Sequence, residues 1–557
     1  MHADASKGGF MQHHIARRAL RPLAAVTLLA LTAAADAGEQ RVTPSWFPPV
    51  YQQSLRAPLP ASVQYAHGTI PDTVPTQSMD PNTSGWLGTY NPGGPTTTAQ
   101  NAFFQSLGTN GRACVTCHQP PSGMSVSVGN IRMRYLTTGG KDPIFAPVDG
   151  ANCPSSVAAA KSRPSLRGGL LGRGPLLNPG LDPIDSPANA YSLLLKRGLF
   201  RIFLPWPPKA ADGSNITPEF TLQVVSDPTR CLNDPAYGIN SPIPMVSIYR
   251  RPLMSGNLKF VTTLGTLFPP VDPLTGLPQP IDPFTGEAES GNIMWDGREP
   301  TVQSQVIDAT LGHAQALNPP TDAQVAQIVA FEMQIFSAQT YDRFALDLTS
   351  SGALGGPVNL AARDPGLFGG GTTFDEYANW FSLPSNVAQF RQKQSIARGQ
   401  TIFNERVFPI TNVAGFNDVV GNNFNGTCST CHNMSHAGSD VLAQAQRDIG
   451  TTGIGPAAVA MPDLPLFKLT CTNGTTTPFN GTTVLVRDPG KALITGKCRD
   501  IGKVKIPPLR ALAARPPYFH DGSAPTLNAL VDFYNKRFDI RLTDQEKTDL
   551  VNFLNAL

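Results

Sequence analysis

Two pentapeptides carry the chemistry of this chain: Cys114-Val115-Thr116-Cys117-His118 and Cys428-Ser429-Thr430-Cys431-His432. In each, two thiols three residues apart on one turn can add to the two vinyl groups of a haem. The adjacent histidine then falls under the iron as its proximal ligand. A redox dithiol or a zinc site is the alternative use of such cysteines. Neither explains a histidine directly after both motifs, and no thioredoxin-like βαβ pattern surrounds them. Cys114, Cys117, Cys428 and Cys431 are therefore read as the attachment points of two haem c groups, with His118 and His432 as iron ligands.

The other four cysteines, Cys153, Cys231, Cys471 and Cys498, allow three pairings. Cys153 with Cys231 and Cys471 with Cys498 is favoured, because each bridge then staples one irregular segment. Candidates for the sixth iron ligands are few. Beyond residue 37 and outside the motifs the histidines are His67, His313, His436 and His520, and the last methionine is Met461. No thioether can follow His520. Tyr534 stands on the helical stretch after it, and from the residues alone it is either an iron ligand or an aromatic core residue. Met124 and Met133 are the nearest donors after the first motif.

The elements that must position these groups occur twice. Thr321-Asp322 with Ile328, Val329 and Phe331 matches Thr543-Asp544 with Leu550, Val551 and Phe553 at an offset of 222. Both read as amphipathic helices opened by a threonine cap, with Glu546 completing a capping box in the second. Trp295-Asp296-Gly297 with Pro300-Thr301-Val302 matches His520-Asp521-Gly522 with Pro525-Thr526-Leu527 at an offset of 225. Each is a turn leading into a helix. Helices over 99–107 and 395–403 are expected before the two motifs. The fold class is thus mainly α: two cytochrome c-like haem domains with long irregular insertions and a few short strands. The 53 prolines and 51 glycines, spread without a period, account for the irregular part.

The expected layout is a signal peptide over 1–37, a Pro-rich arm over 38–95, and a first haem domain over 96–350 with an insertion at about 119–290. A Gly-rich link over 351–390 and a second haem domain over 391–557 follow. The signal rests on the basic stretch Arg17 to Arg21, the apolar run Leu23 to Leu31 and Ala35-Asp36-Ala37. That run is too short to span a bilayer, so the expectation is a periplasmic protein with no membrane span in its mature part. Strand-like pieces are expected at 244–249 and 258–263 and a helix at 191–196. The formal charge of +3 gives no basic surface for nucleic acid.

Taken together, the two CxxCH motifs, Met294-Trp295-Asp296-Gly297-Arg298-Glu299 and Pro508-Leu509-Arg510 running on to Pro517-Tyr518-Phe519-His520-Asp521-Gly522 resemble the bacterial di-haem cytochrome c peroxidase and MauG family. The resemblance covers most of 96–557. The insertion is longer than in the standard peroxidases and is similar in that respect to the rubber-cleaving di-haem oxygenases. The resemblance implies that Tyr534 ligates the second iron, as in the MauG branch, and that Trp295 is the inter-haem tryptophan. His520 would order the second haem pocket by hydrogen bonding. Carrying the 225 offset back from Tyr534 gives Ala309, which leaves the first iron open. For His313, one turn on, three roles stand side by side: acid-base group, sixth ligand, or solvated histidine. A calcium ion on carbonyls near Arg515 and Pro517 is a further family expectation. The implied activity is reduction of hydrogen peroxide with electrons from a small c-type cytochrome or cupredoxin. The alternatives are oxidation of an organic or protein substrate, and a di-haem electron carrier without catalysis.

Overall fold

The repeated pattern folds into repeated structure. In a computed structural model, the residues described here are 72–162, 188–210, 212–263, 291–365, 373–440, 445–454, 458–478 and 481–557. The signal segment and His67 lie outside them. The helices Val302–Gly312 and Asp322–Gln334 in the first half answer to Leu527–Arg537 and Asp544–Asn555 in the second. All four start on a threonine whose side chain accepts the backbone N–H three residues on. This satisfies a donor the first helical turn would otherwise leave unpaired.

The turns before them match down to single backbone angles. Ile293 bridges Glu299 as Tyr518 bridges Ala524, all at the 225 offset. Met294 and Phe519 adopt φ of 68° and 66°, Gly297 and Gly522 φ of 68° and 65°. Non-glycine residues rarely accept that left-handed conformation. The two turns are thus the same built object, and each aims the residue at 295 or 520 in the same way.

In the second half the helix Ala388–Glu405 crosses the C-terminal helix around Ile396, Phe403, Leu550 and Phe553. Its expected first-half counterpart over 99–107 is instead two 3₁₀ turns, Thr98–Gln100 and Ala102–Phe104. Asn101 is extended between them, and its side chain caps the second turn at Phe103 N–H, the local competition that keeps asparagine out of helix interiors. Residues 259–262 form a helical turn rather than a strand. Asn257 already bonds the strand Phe336–Asp342 by its N–H to Ile335 and its amide to Ser337, which occupies the edge.

The structure also redraws three boundaries. The described part of the Pro-rich arm holds the strands Gln77–Asn82 and Gly85–Tyr90, which join Phe336–Asp342 in one sheet. The Gly-rich link contains the helix Gly356–Ala362, and Tyr377 and Trp380 beyond it are fully buried in the second-half core. The insertion strand Phe220–Ser226 pairs with Leu466–Cys471 of the second half, which pairs in turn with Thr483–Val486. Leu204, Leu232, Val246, Phe467, Leu469 and Leu493 form a core between them. The insertion is therefore welded to both halves. All the described residues belong to one compact unit, and among them no helix is long and apolar enough to cross a membrane. Cys153 and Cys231 stand 5.1 Å apart at Cα and Cys471 and Cys498 6.0 Å, both within disulfide reach and bonded in the favoured pairing.

Candidate active site: two equivalent haem cavities

Each CxxCH folds as a 3₁₀ turn, Cys114–Thr116 and Cys428–Thr430, in which the third-position threonine hydroxyl accepts the N–H of the residue before the first cysteine. The turn stacks both thiols and the histidine against a cavity. The first cavity is open to solvent, spans about 1480 Å³ with its mouth included, and is walled by Cys114, Cys117 and His118. The second, likewise open, spans about 1530 Å³ and is walled by Cys428, Cys431 and His432. Among the described cysteines these four alone are unbridged.

Both histidines are prepared for a metal. His118 Nδ1 lies 3.1 Å from the Met124 carbonyl and His432 Nδ1 2.8 Å from that of Gly438, six residues on in each case. A carbonyl can only accept, so Nδ1 carries the proton and Nε2 keeps the lone pair that binds iron. Burial holds the His118 imidazole down to about 4 and lowers His432 as well, so both stay neutral.

The walls fit the acidic edge of a haem as well as its apolar face. Arg251 and Lys505 line both cavities, and Arg515 lines the second. Arg251 and Lys505 are buried and Arg515 is half-buried, and desolvation lowers Arg251 to about 9, Arg515 to about 10 and Lys505 to about 7. Their hydrogen bonds run to carbonyls: Arg251 to Val126 and Arg515, Lys505 to Asn292, Arg515 to Pro508 and Arg510. Buried cations facing only carbonyls are costly. Haem propionates entering the two cavities would supply the missing negative charge. The Arg515 carbonyl, near which a calcium ion is expected, accepts from the Arg251 guanidinium.

Trp295 lines both cavities and contacts His520, its counterpart under the 225 offset, edge-on at 6.0 Å between ring centroids. Its indole N–H donates to the Arg251 carbonyl at 2.7 Å. His520 is buried, its Nδ1 has no protein partner, and its Nε2 sits 3.7 Å from Asp488. Asp488 and Asp296 both clamp Arg250, at 2.7 Å and 2.5 Å, and Arg298 also pairs with Asp296. This buried ion network fixes the Trp295 turn and the His520 turn to each other.

The helices carrying the remaining candidates present the same face to each cavity with different chemistry. Positions 305, 309 and 313, spaced by one turn, are Gln305, Ala309 and His313 and line the first cavity. Their counterparts are Leu530, Tyr534 and Phe538, which line the second. Tyr534 faces His432 across that cavity at 6.4 Å between ring centroids. Burial pushes its phenol up, so a phenolate there requires a bound cation. His313 Nδ1 lies 2.5 Å from the buried carboxylate of Asp149, and its side chain is 28% exposed. Met124 serves His118 through its carbonyl, and Met133 is 43% exposed on the outside of the helix Val128–Thr138, so neither side chain faces the first cavity. Met254 and Met294 do line it.

Sequence reasoning missed Asp149, Gln305, Glu332, Arg251 and Lys505. The 225 and 222 offsets reach Gln305 and Glu332. Nothing local marks the other three, which come to the cavities from distant segments.

No family model matches the chain. Its sequence is similar to a cytochrome-c peroxidase, IdrP1, of Denitromonas iodatirespirans, 39% identical over 82 residues, which are 13% of this chain and 22% of that protein. A second cytochrome-c peroxidase of that organism, IdrP2, is 32% identical over 24% of this chain and 36% of its own length. IdrP1 of Pseudomonas sp. (strain SCT) is 30% identical over 33% of this chain and 43% of its own. The chain thus spans less than half the length of the relatives it matches. Among solved structures, a MauG-like protein associated with microbial copper homeostasis aligns over 50% of this chain and 76% of its own at 17% identity, with a TM-score of 0.27. The matched stretches and the two CxxCH motifs thus make the chain similar to cytochrome-c peroxidases over part of its length.

Proposed function

We propose that the protein is an exported, periplasmic di-haem oxidoreductase that reduces hydrogen peroxide at the first cavity, with electrons entering from a small c-type cytochrome or cupredoxin at the second. The observation that carries this reading is the change of one helix face. Gln305, Ala309 and His313 leave the side of the first cavity they line without a ligand side chain at the middle position and place hydrogen-bonding groups on either side of it. Leu530, Tyr534 and Phe538 close the second with a phenol between apolar groups.

When bound, the haems would supply redox-active iron, which His118 would hold in the first cavity and His432 and Tyr534 in the second. The chain's own part is to place a small ligand beside His313 and Gln305, to keep the site apolar, and to hold Trp295 in the common wall as the route for electrons. Arg250, through Asp296 and Asp488, keeps that wall fixed. Export is supported by the two cysteine pairs at disulfide distance, which persist in oxidising compartments. Oxidation of an organic or protein substrate is the second reading, favoured by Tyr534, a harder donor than a thioether that lowers the iron potential.

The test is electron paramagnetic resonance of the oxidised protein before and after one equivalent of hydrogen peroxide. One high-spin and one low-spin ferric signal, both lost on addition, are expected. Two low-spin signals indifferent to peroxide, also after partial reduction, would leave an electron carrier and remove the enzyme.

A further inference from the structure

His313 does not stand alone. Its Nδ1 meets Asp149, a residue of the insertion 164 positions away in sequence. Asp149 is fully buried and pairs through its other oxygen with Arg112. Arg112 is anchored on the Pro143 and Ile144 carbonyls at 2.8 and 2.9 Å and also donates to the His313 carbonyl at 3.2 Å. Asn110 donates to that same carbonyl at 2.8 Å. The Asp149 backbone is fixed in turn, its carbonyl accepting from Arg201 N–H at 2.8 Å. The imidazole is thus held at its ring and at its backbone by groups that are themselves immobilised. Burial alone would raise the Asp149 carboxyl, but Arg112 and His313 beside it hold it below the usual range.

An ionised carboxylate accepts and does not donate, so the neutral His313 ring carries its proton on Nδ1 and its lone pair on Nε2. Holding a histidine in one tautomer and one orientation is what turns it into a base. The equivalent position in the second half is Phe538, which has neither nitrogen. The pairing is therefore specific to the first cavity, where Ala309 stands at the position equivalent to Tyr534.

We propose that Asp149 is the positioning residue of an Asp149–His313 dyad, which makes His313 the base that takes a proton from hydrogen peroxide, or from another weak acid such as hydrogen cyanide, entering the first cavity. In that step the ligand's O–H or C–H bond breaks, an Nε2–H bond forms, and the charge arising on the ring is met by Asp149. No electron moves. The inference rests on the peroxide reading of the first cavity.

The experiment compares the unaltered holoprotein with Asp149→Asn and His313→Ala, each checked for haem content, by the rate of the spectral change with peroxide and by cyanide affinity of the ferric form. Loss of a general base costs about 10² to 10⁴ in rate. Loss of the group that orients it costs about 10- to 100-fold. Both losses are expected, with weaker cyanide binding in each variant. Asp149→Asn behaving as the unaltered protein while His313→Ala is impaired would overturn the dyad and leave His313 acting alone. An unaltered protein inert to both reagents would overturn the peroxide reading itself and the dyad with it.

Because Asp149→Asn leaves Arg112 buried without its partner, a variant that fails to fold is met by a measurement on the unaltered chain. Nitrogen NMR of histidine-labelled protein in the diamagnetic ferrous carbon monoxide form reports the His313 tautomer. A proton on Nδ1 supports the dyad, and a proton on Nε2 alone refutes it.

Discussion

Glu332 is where the two halves differ most sharply in charge, and replacing it by leucine, its counterpart under the 222 offset, isolates that difference. Leu554 lines the second cavity as an ordinary apolar residue, while Glu332 lines the first, 4% exposed, with one carboxylate oxygen lacking a partner. Burial lifts its carboxyl from 4.5 to about 8. The folded protein therefore keeps this proton up to about pH 8, while the unfolded chain loses it near 4.5. Between those values the folded state binds more protons, so stability falls as pH rises. The contribution is whole below about 4.5 and lost on passing about 8. At 1.36 kcal/mol per pKa unit the full effect is on the order of 4 to 5 kcal/mol, and between pH 5 and pH 8 about 3.5. Guanidinium unfolding of the holoprotein and of Glu332→Leu, followed by circular dichroism across that range, reads it directly. The variant is expected to gain on the original by that amount as pH rises. A gap between the two that stays constant within about 1 kcal/mol would refute the reasoning, showing Glu332 to be ionised beside a cation or reached by water.

Tyr534→Phe is expected to abolish the low-spin ferric signal of the second haem without loss of covalent haem. An unchanged spectrum would make Tyr534 an aromatic wall residue beside Phe519 and Phe538. Replacing Cys471 and Cys498 by serine opens a loop of 27 residues and is expected to cost about 3.5 kcal/mol by loop-closure entropy. Its effect should fall on the shared insertion core and leave both haem spectra in place, which denaturant unfolding monitored separately in the far ultraviolet and the Soret band would check.

What the amino-acid sequence determines alone is the chemistry that is local and what repeats. CxxCH is complete within five residues, so both expected attachment sites and both expected proximal histidines are legible without a fold. The threonine caps and the D-G turns are equally local, and their constant offsets carry the duplication down to backbone angles and equate Ala309 with Tyr534. The same local logic fails at 99–107, where Asn101 outcompetes the helix by capping a turn, and at 258–263, where a long-range bond to Ser337 takes the strand edge. Only the tertiary structure decides which distant segments share a wall. The pairing of Phe220–Ser226 with Leu466–Cys471 joins the insertion to the second half, because a strand edge takes any partner that completes its hydrogen bonds and its apolar face. Asp149 reaches Arg112 and His313, and Lys505 and Arg251 reach both cavities, because the fold brings these distant segments to one wall, where a buried charge needs a polar partner. No spacing along the chain records that requirement.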